Sequence, residues 1–186
     1  MPHPNHALLI LIGMMGSGKS TVGQLLAKEL GVPFVDSDRL IEARSGVSIA
    51  TIFDVEGEAG FRKREADIIA ELMGREGLVV ATGGGAVLSE DNCQRMRAHG
   101  LVVYLDASLT ELLRRLKHDR SRPLLQTDHA AERIAQLLHE RTALYRRCAH
   151  LTFATNASGP KQLARRIATH PQVIQTFKPR PSLGQT

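Results

Sequence analysis

Short apolar runs alternate along the chain with longer segments in which apolar residues recur every three or four positions. Helical spacing of this kind occurs over residues 61–73 and 130–145, and we expect helices there. Five apolar runs are typical of buried strands: residues 7–12, 33–36, 78–82, 101–106 and 151–155. Strands that alternate with helices favour a parallel sheet covered on both faces, so the pattern predicts an α/β fold.

Length and composition limit the domain organisation. The 186 residues, 42% hydrophobic and 23% charged, suffice for one globular domain, which we assign to residues 1–170. Residues 171–186 contain three prolines and little periodicity, and we expect them to be poorly ordered. The chain opens without a signal-peptide pattern and contains no run of about 18 apolar residues, so we expect a cytoplasmic location.

The charge balance favours an anionic partner. The formal net charge of +5 would suit a nucleotide, an acidic metabolite or a nucleic acid. Only 4% of residues are aromatic and Trp is absent, so surfaces that could stack nucleic-acid bases are scarce. Cys93 and Cys148 lack Cys-x-x-Cys spacing, and we expect reduced structural thiols rather than a zinc site or a disulfide framework.

A glycine-rich loop joins the first strand to a helix. Its sequence, GMMGSGKS over residues 13–20, matches the motif G-x-x-x-x-G-K-[ST] at a strand-to-helix junction, where that motif binds phosphate. Backbone N–H groups of such a loop, together with the positive end of the helix, surround phosphate oxygens. We expect Lys19 to reach the β- and γ-phosphates and Ser20 to ligate Mg²⁺. The loop therefore predicts binding of ATP or GTP with magnesium, but it does not identify the acceptor.

Two further segments follow strands and could line a second ligand site. Asp36 and Asp38 come directly after the second strand, where they could serve a metal and an acceptor hydroxyl. Alternatively, Ser37 or Asp38 simply caps the next helix. Three glycines, residues 83–85, follow the third strand and either admit a ligand close to the backbone or form a flexible turn.

Arginines supply candidate binding groups. Arg62 begins a predicted helix, and Arg141 interrupts the apolar stripe of its helix. An arginine in an apolar stripe must extend to solvent or find a partner, which could be a ligand carboxylate or one of the chain's own acids. Residues 117–127 form either a solvated surface loop or a mobile lid that brings an arginine to the transferred group.

The order of these segments resembles that of the shikimate kinase family. The matching pieces are GMMGSGKST at 13–21, DSD at 36–38, FR at 61–62, GGG at 83–85, RPLL at 122–125 and ERTALYRR at 140–147, within a resemblance over about residues 8–167. It implies a three-layer αβα P-loop fold of nucleoside-monophosphate-kinase type, with a five-stranded parallel sheet in the order 2-3-1-4-5. It also implies a monomer that transfers the ATP γ-phosphoryl group to the 3-hydroxyl of shikimate, a step toward chorismate and the aromatic amino acids.

The resemblance implies a role for each matching position. The catalytic groups would be Lys19, Asp38 and Arg122, the last carried by a lid over about residues 117–127. The shikimate pocket would be lined by Asp38, Arg62, Gly83, Gly84, Gly85 and Arg141. The nucleotide would contact Gly13, Gly16, Ser17, Gly18, Lys19, Ser20, Thr21, Arg115, Arg122 and Asn156. Mg²⁺ would be held by Ser20, and by Asp36 through water.

Two other functions remain open. Another small-molecule P-loop kinase, such as a gluconate or nucleoside-monophosphate kinase, would share the glycine loop, although GGG, FR and ERTALYRR argue against it. A nucleotide-dependent binding switch would hydrolyse ATP without regard to small alcohols, and it would leave Arg141 unexplained.

Overall fold

Five parallel strands form the central sheet of the computed structural model, which describes residues 8–117, 129–155 and 159–177. The strands are β1 (Leu8–Ile12), β2 (Phe34–Asp36), β3 (Leu78–Ala81), β4 (Leu101–Asp106) and β5 (Leu151–Ala154). Their order across the sheet is β2-β3-β1-β4-β5, and every neighbouring pair is parallel. The predicted strands and the predicted order 2-3-1-4-5 are confirmed.

Helices cover both faces of this sheet. They are α1 (Lys19–Leu30), α2 (Ser37–Ser45), α3 (Ile49–Leu72), α4 (Glu90–His99), α5 (Leu109–Leu116), α6 (Ala130–Cys148), α7 (Pro160–Ala168) and α8 (Pro171–Phe177), with a 3₁₀ turn over Ala86–Leu88. Of the helices within the described ranges, none combines the length and apolar character that crossing a membrane would require.

The strands are apolar at consecutive positions because both faces of the sheet are buried. In β1, alternate side chains enter two separate apolar clusters, with Leu8 and Ile10 in one and Leu9 and Leu11 in the other. The cluster around Leu9 is completed by α1, α7 and α8, and the cluster around Ile10 by α2 to α6. This division produces the three-layer arrangement.

The register of the strands brings the chemically interesting segments to one edge. Ala81, the last residue of β3, pairs with Leu11 of β1 on one side and with Asp36 of β2 on the other. The glycine loop, the aspartates and the three glycines all begin within two residues of these positions. Ligands bind at such carboxyl ends in open α/β sheets, so the fold places the candidate groups together.

Two predictions about helices are wrong. Arg62 does not begin a helix, because α3 starts at Ile49 and is interrupted at Gly57, where φ is 70° and ψ is −177°. The segment before this kink, residues 49–56, is too short for apolar spacing alone to predict a helix. Poor order from Pro171 onward is also wrong for Pro171–Phe177, which forms α8 and buries Val173 completely in the cluster around Leu9.

Some predicted segments lie outside the described residues. These are Arg122 with nearly all of the proposed lid, Asn156, and residues 178–186 of the tail.

Candidate active site

The glycine loop has a backbone that only glycine adopts readily. The φ angles of Gly13, Gly16 and Gly18 are 147°, 76° and 95°, all in the region that L side chains avoid. Space is limiting as well, because a Cβ on Gly13 would lie 2.8 Å from the carbonyl oxygen of Leu105. The loop is therefore shaped by its glycines to turn tightly at the end of β1.

Lys19 lies across this loop. Its side chain is only 8% exposed, and its Nζ donates hydrogen bonds to the carbonyl oxygens of Gly13 (2.8 Å) and Met14 (2.9 Å). Helix α1 begins at Lys19 with no acidic residue in its first turn and no side-chain cap. An ammonium group and the positive end of a helix thus lie together, as an anion site requires.

Arg115 of α5 connects the glycine loop to the end of β5. Its Nη1 donates to the carbonyl oxygens of Gly16 (3.3 Å) and Ser17 (3.0 Å), and its Nη2 to that of Thr155 (3.5 Å). Its Nε donates to Glu111 at 2.7 Å, and hydrogen bonds from Arg114 and Arg115 lower the pKa of Glu111 to about 2. Arg115 is thereby held between the glycine loop and the end of β5, and its contact with adenine stays a prediction.

Ser20 and Asp36 bring a hydroxyl and a carboxylate together next to the loop. The Ser20 hydroxyl donates to Oδ2 of Asp36 at 2.5 Å. The other oxygen, Oδ1, accepts from the backbone N–H groups of Asp38 (3.0 Å) and Arg39 (3.3 Å), so Asp36 is the N-cap of α2. The alternative in which Ser37 or Asp38 caps this helix is therefore wrong.

This donor set fits a magnesium ion. Mg²⁺ prefers a few oxygen ligands and keeps several waters, and the backbone bonds to Oδ1 fix the direction of the Asp36 carboxylate toward Ser20. Within the described ranges no group of three or more His, Cys, Asp or Glu could hold a metal by itself. A hydroxyl with one carboxylate, completed by water and phosphate oxygens, is the arrangement available here.

The three glycines after β3 make room for charged side chains. A Cβ on Gly83 would lie 2.6 Å from Oδ1 of Asp38 and 2.6 Å from Oε1 of Glu65. A Cβ on Gly85 would overlap both terminal nitrogens of the Arg62 guanidinium. Side chains from α2 and α3 thus converge on this backbone, and the segment is a packed surface rather than a plain flexible turn.

Glu65 is a member of this site that the sequence did not single out. Its side chain is 1% exposed, and its Oε2 accepts from Nη1 of Arg62 at 2.7 Å, while Arg62 also donates to Glu58 at 3.2 and 3.3 Å. Burial raises the pKa of Glu65, and the positive charges of Arg62 and Arg141 oppose that shift. The spacing of three residues between Arg62 and Glu65 in a helix was the available signal.

Arg141 reaches the same backbone from α6. Its Nη1 lies 3.5 Å from the carbonyl oxygen of Gly84, and its buried Nε has no hydrogen-bond partner within the described residues. It forms no ion pair with an acid of the described ranges, so the alternative of a structural ion pair has no support there. Tyr145, one turn further on, donates to the same Gly84 oxygen at 2.5 Å, and burial raises its pKa to about 12.

The structure thus gathers the predicted residues into two adjoining groups. Around the glycine loop lie Gly13, Gly16, Ser17, Gly18, Lys19, Ser20, Asp36 and Arg115, with Thr21 exposed on α1. Around residues 83–85 lie Asp38, Arg62 and Arg141. The groups meet where a Cβ on Gly84 would come within 3.3 Å of the backbone nitrogen of Met15. This fold and these groups define a P-loop kinase that acts on a small molecule.

Comparisons with known proteins identify the family. The family model described as shikimate kinase matches residues 15–171, and the chain belongs to the shikimate kinase family. It is 54% identical to a shikimate kinase of Halorhodospira halophila over 159 residues, which cover 86% of this chain and 90% of that protein. It is 49% identical to a shikimate kinase of Nitrosospira multiformis over 160 residues, which cover 86% and 82% of the two chains.

A solved structure has the same fold. The shikimate kinase of Acinetobacter baumannii in complex with shikimate superposes with a TM-score of 0.85 at 42% identity, over 93% of this chain and 95% of that chain.

Proposed function

We propose that this chain transfers the γ-phosphoryl group of ATP to the 3-hydroxyl of shikimate, giving shikimate 3-phosphate and ADP. The observation that carries the proposal is the contact between the glycine loop and the glycines after β3, where Met15 lies against Gly84. Phosphoryl transfer requires a donor and an acceptor in line and close together, and catalysis then consists mainly of positioning and charge stabilisation. Two adjoining sites, one for phosphate and one for a polar acceptor, meet this requirement.

The nucleotide occupies the glycine loop in this proposal. ATP would bring phosphate oxygens to Lys19, whose ammonium now bonds to the loop carbonyls at 2.8 and 2.9 Å and can be shared with the β- and γ-phosphates. The N–H groups at the start of α1 point to the same place. Arg115 lies beside the loop and next to Thr155, so in this proposal the nucleoside would lie between α5 and the end of β5.

Ser20 and Asp36 would hold Mg²⁺, the serine directly and the aspartate through water. The ion would neutralise phosphate charge when bound. The Ser20–Asp36 hydrogen bond keeps both oxygens at the loop, and the cap interaction of Asp36 with α2 keeps the carboxylate from rotating away.

The acceptor pocket suits a small hydroxylated carboxylate. Shikimate carries one carboxylate and three hydroxyls, so its site needs cationic donors at one end and an oxygen acceptor at the other. Arg62 and Arg141 supply the donors, and guanidinium groups bind carboxylates through two parallel hydrogen bonds. The buried Glu65 forms an ion pair with Arg62, and this ion pair would fix the orientation of Arg62 before the substrate arrives.

Asp38 would receive the reacting hydroxyl. Its Oδ1 lies against Gly83, and the neighbouring Gly84 contacts the glycine loop at Met15. A carboxylate there can accept the hydroxyl proton or orient the oxygen toward phosphorus. A loose transition state for phosphoryl transfer demands little of a base, so orientation alone would contribute substantially.

Other parts of the prediction stay predictions. Arg122 would act from a lid and Asn156 would flank the adenine, and both residues lie outside the described ranges. A monomeric state and a cytoplasmic location are likewise expected and untested.

The decisive experiment compares acceptors under one set of conditions. ADP release by the full chain, coupled to NADH oxidation, is measured with ATP and Mg²⁺ in the presence of shikimate, quinate, gluconate or AMP. We expect turnover with shikimate only. Turnover with gluconate or AMP would identify another small-molecule kinase, and ADP release at the same rate with every acceptor and with none would identify a nucleotide-dependent switch.

A further inference from the structure

Two buried thiols meet between α4 and α6. Cys93 belongs to α4 and Cys148 is the last residue of α6, and their exposed fractions are 4% and 1%. Both thiols line the same cavity and each shifts the pKa of the other, and the Cys93 thiol donates a hydrogen bond to the carbonyl oxygen of Val87 at 3.5 Å. Proximity of two thiols across two helices is the first requirement for a disulfide.

A cavity opens next to this pair. Its volume is about 560 Å³, and both cysteines line it together with Glu90, Arg97 and Arg147. A molecule as small as hydrogen peroxide would fit this space easily. The thiols are therefore shielded from large reagents but lie on the wall of a space that a small oxidant can enter.

The interaction between the two thiols shifts their pKa values in opposite directions. The hydrogen bond from Cys148 lowers the pKa of Cys93, and the positive charges of Arg147 and Arg97 act in the same direction, whereas burial and Glu90 oppose it. The hydrogen bond to Cys93 and burial raise the pKa of Cys148. Cys93 is thus the first to lose its proton, and the thiolate is the nucleophilic form of cysteine.

Both cysteines lie on elements that lead to the acceptor site. The helix that carries Cys93 follows the glycines 83–85 after one 3₁₀ turn. Cys148 lies one helical turn beyond Tyr145, whose hydroxyl bonds to the Gly84 oxygen at 2.5 Å. A change in the distance between these two helices acts on both sides of the Gly84–Tyr145 hydrogen bond.

We propose that Cys93 and Cys148 are a peroxide-sensitive pair, and that their oxidation to a disulfide ties α4 to α6 and weakens binding at the acceptor site. The Cys93 thiolate attacks one oxygen of hydrogen peroxide, which forms a sulfenic acid and releases hydroxide that is protonated to water. The Cys148 sulfur then attacks the Cys93 sulfur, forms the S–S bond and displaces the second oxygen as water. The two thiols lose two hydrogens in total, and one peroxide becomes two waters.

The disulfide would alter the packing because it is shorter than the contact it replaces. An S–S bond is about 2 Å long, well below any non-bonded contact between two sulfur atoms, so the parts of α4 and α6 that carry the cysteines must move together. Disulfides in reducing compartments are typically transient and regulatory. The effect on shikimate binding rests on the proposed function, whereas formation of the disulfide does not.

The test oxidises the reduced full chain with hydrogen peroxide and follows two properties. Peroxide should lower the intact mass of the chain by about 2 Da, and neither cysteine should then react with an alkylating reagent. The KM for shikimate should rise at least about fivefold while the KM for ATP changes less than about twofold, and dithiothreitol should reverse both the mass change and the kinetic change.

Single substitutions provide the controls. Cys93→Ser and Cys148→Ser should keep the kinetics of the reduced chain before and after peroxide, and Cys148→Ala serves if a buried serine destabilises the fold. A chain that keeps its mass in peroxide, or that only gains oxygen atoms, overturns the proposal. A disulfide that forms with no change in the KM for shikimate overturns the link to the acceptor site. The mass measurement tests disulfide formation independently, even if the chain is inactive on shikimate.

Discussion

Replacing Gly83 by alanine tests whether the acceptor site depends on the space beside this glycine. The added Cβ would lie 2.6 Å from both Asp38 Oδ1 and Glu65 Oε1, where an ordinary contact begins at 3.4 Å. Two carboxylate oxygens therefore have to retreat by about 0.8 Å each, or the backbone has to shift by a similar distance. Asp38 is the proposed partner of the reacting hydroxyl, and Glu65 holds Arg62.

The displacement sets the size of the expected effect. A misplacement of about 1 Å in a catalytic constellation costs on the order of 10²-fold in rate, so kcat/KM for shikimate should fall about 10- to 100-fold in Gly83→Ala. Overpacking of this kind costs roughly 1–3 kcal/mol of unfolding free energy, which leaves most domains folded at 25 °C. Affinity for ATP should change little, because the new methyl group does not face the glycine loop.

The assay is the coupled ADP-release measurement with shikimate, together with a thermal melt and an ATP titration of the same preparation. Gly74→Ala is the matched control, since its Cβ would meet only the carbonyl oxygen of Glu71 at 3.4 Å, and it should keep full activity. A folded Gly83→Ala variant with unchanged kcat/KM would show that the positions of Asp38 and Glu65 do not matter for the reaction.

Three further substitutions test single contacts. Arg141→Lys keeps the charge but loses the two parallel hydrogen bonds of the guanidinium group, so shikimate binding should weaken by about 1.5–3 kcal/mol, roughly 10- to 150-fold. Arg146→Lys, on the exposed side of the same helix, is the control and should behave as wild type. A lower melting temperature with intact shikimate affinity in Arg141→Lys would contradict the binding role. Asp38→Asn should lower kcat by at least about tenfold. Its melting temperature should not fall, because Asp36 and not Asp38 caps α2. Full activity of this variant would show that Asp38 has only a structural role. Tyr145→Phe removes the hydroxyl that bonds to the Gly84 oxygen but keeps the ring that stacks on Tyr104. The KM for shikimate should therefore rise about three- to tenfold, and an unchanged KM would refute a positioning role for the hydroxyl.

The phosphate side of the site could be predicted because it is encoded locally. The motif of residues 13–20, the apolar strand before it and the amphipathic helix after it are contiguous, so spacing and residue type together specify the loop. The sheet order followed from the family resemblance, since a parallel sheet alone permits several orders. The structure then agreed at every strand.

The residue that caps α2 and the burial of Glu65 could not be predicted in this way. Asp36, Ser37 and Asp38 are all good capping residues, and the choice depends on the φ of −102° and ψ of 119° at Asp36, which follow from where β2 ends. Ser37 is instead buried and accepts a hydrogen bond from the Gly83 N–H at 3.1 Å. Glu65 looks like an ordinary surface acid in a charged helix, and only the packing of α3 on Gly83 buries it.

The two glycine clusters show why residue type alone left the acceptor site ambiguous. In the glycine loop, Gly13, Gly16 and Gly18 have positive φ, so the need for glycine is a property of the local backbone. The glycines at 83–85 are not among the residues with positive φ, and what excludes a side chain there is the presence of the Asp38 and Glu65 carboxylates and the Arg62 guanidinium. A requirement of this second kind is imposed by residues about 20 to 45 positions away and is invisible until the chain is folded. It also means that a substitution at Gly83 acts on the charged groups of the acceptor pocket more than on the backbone, and for this reason Gly83→Ala is a test of function as well as of packing.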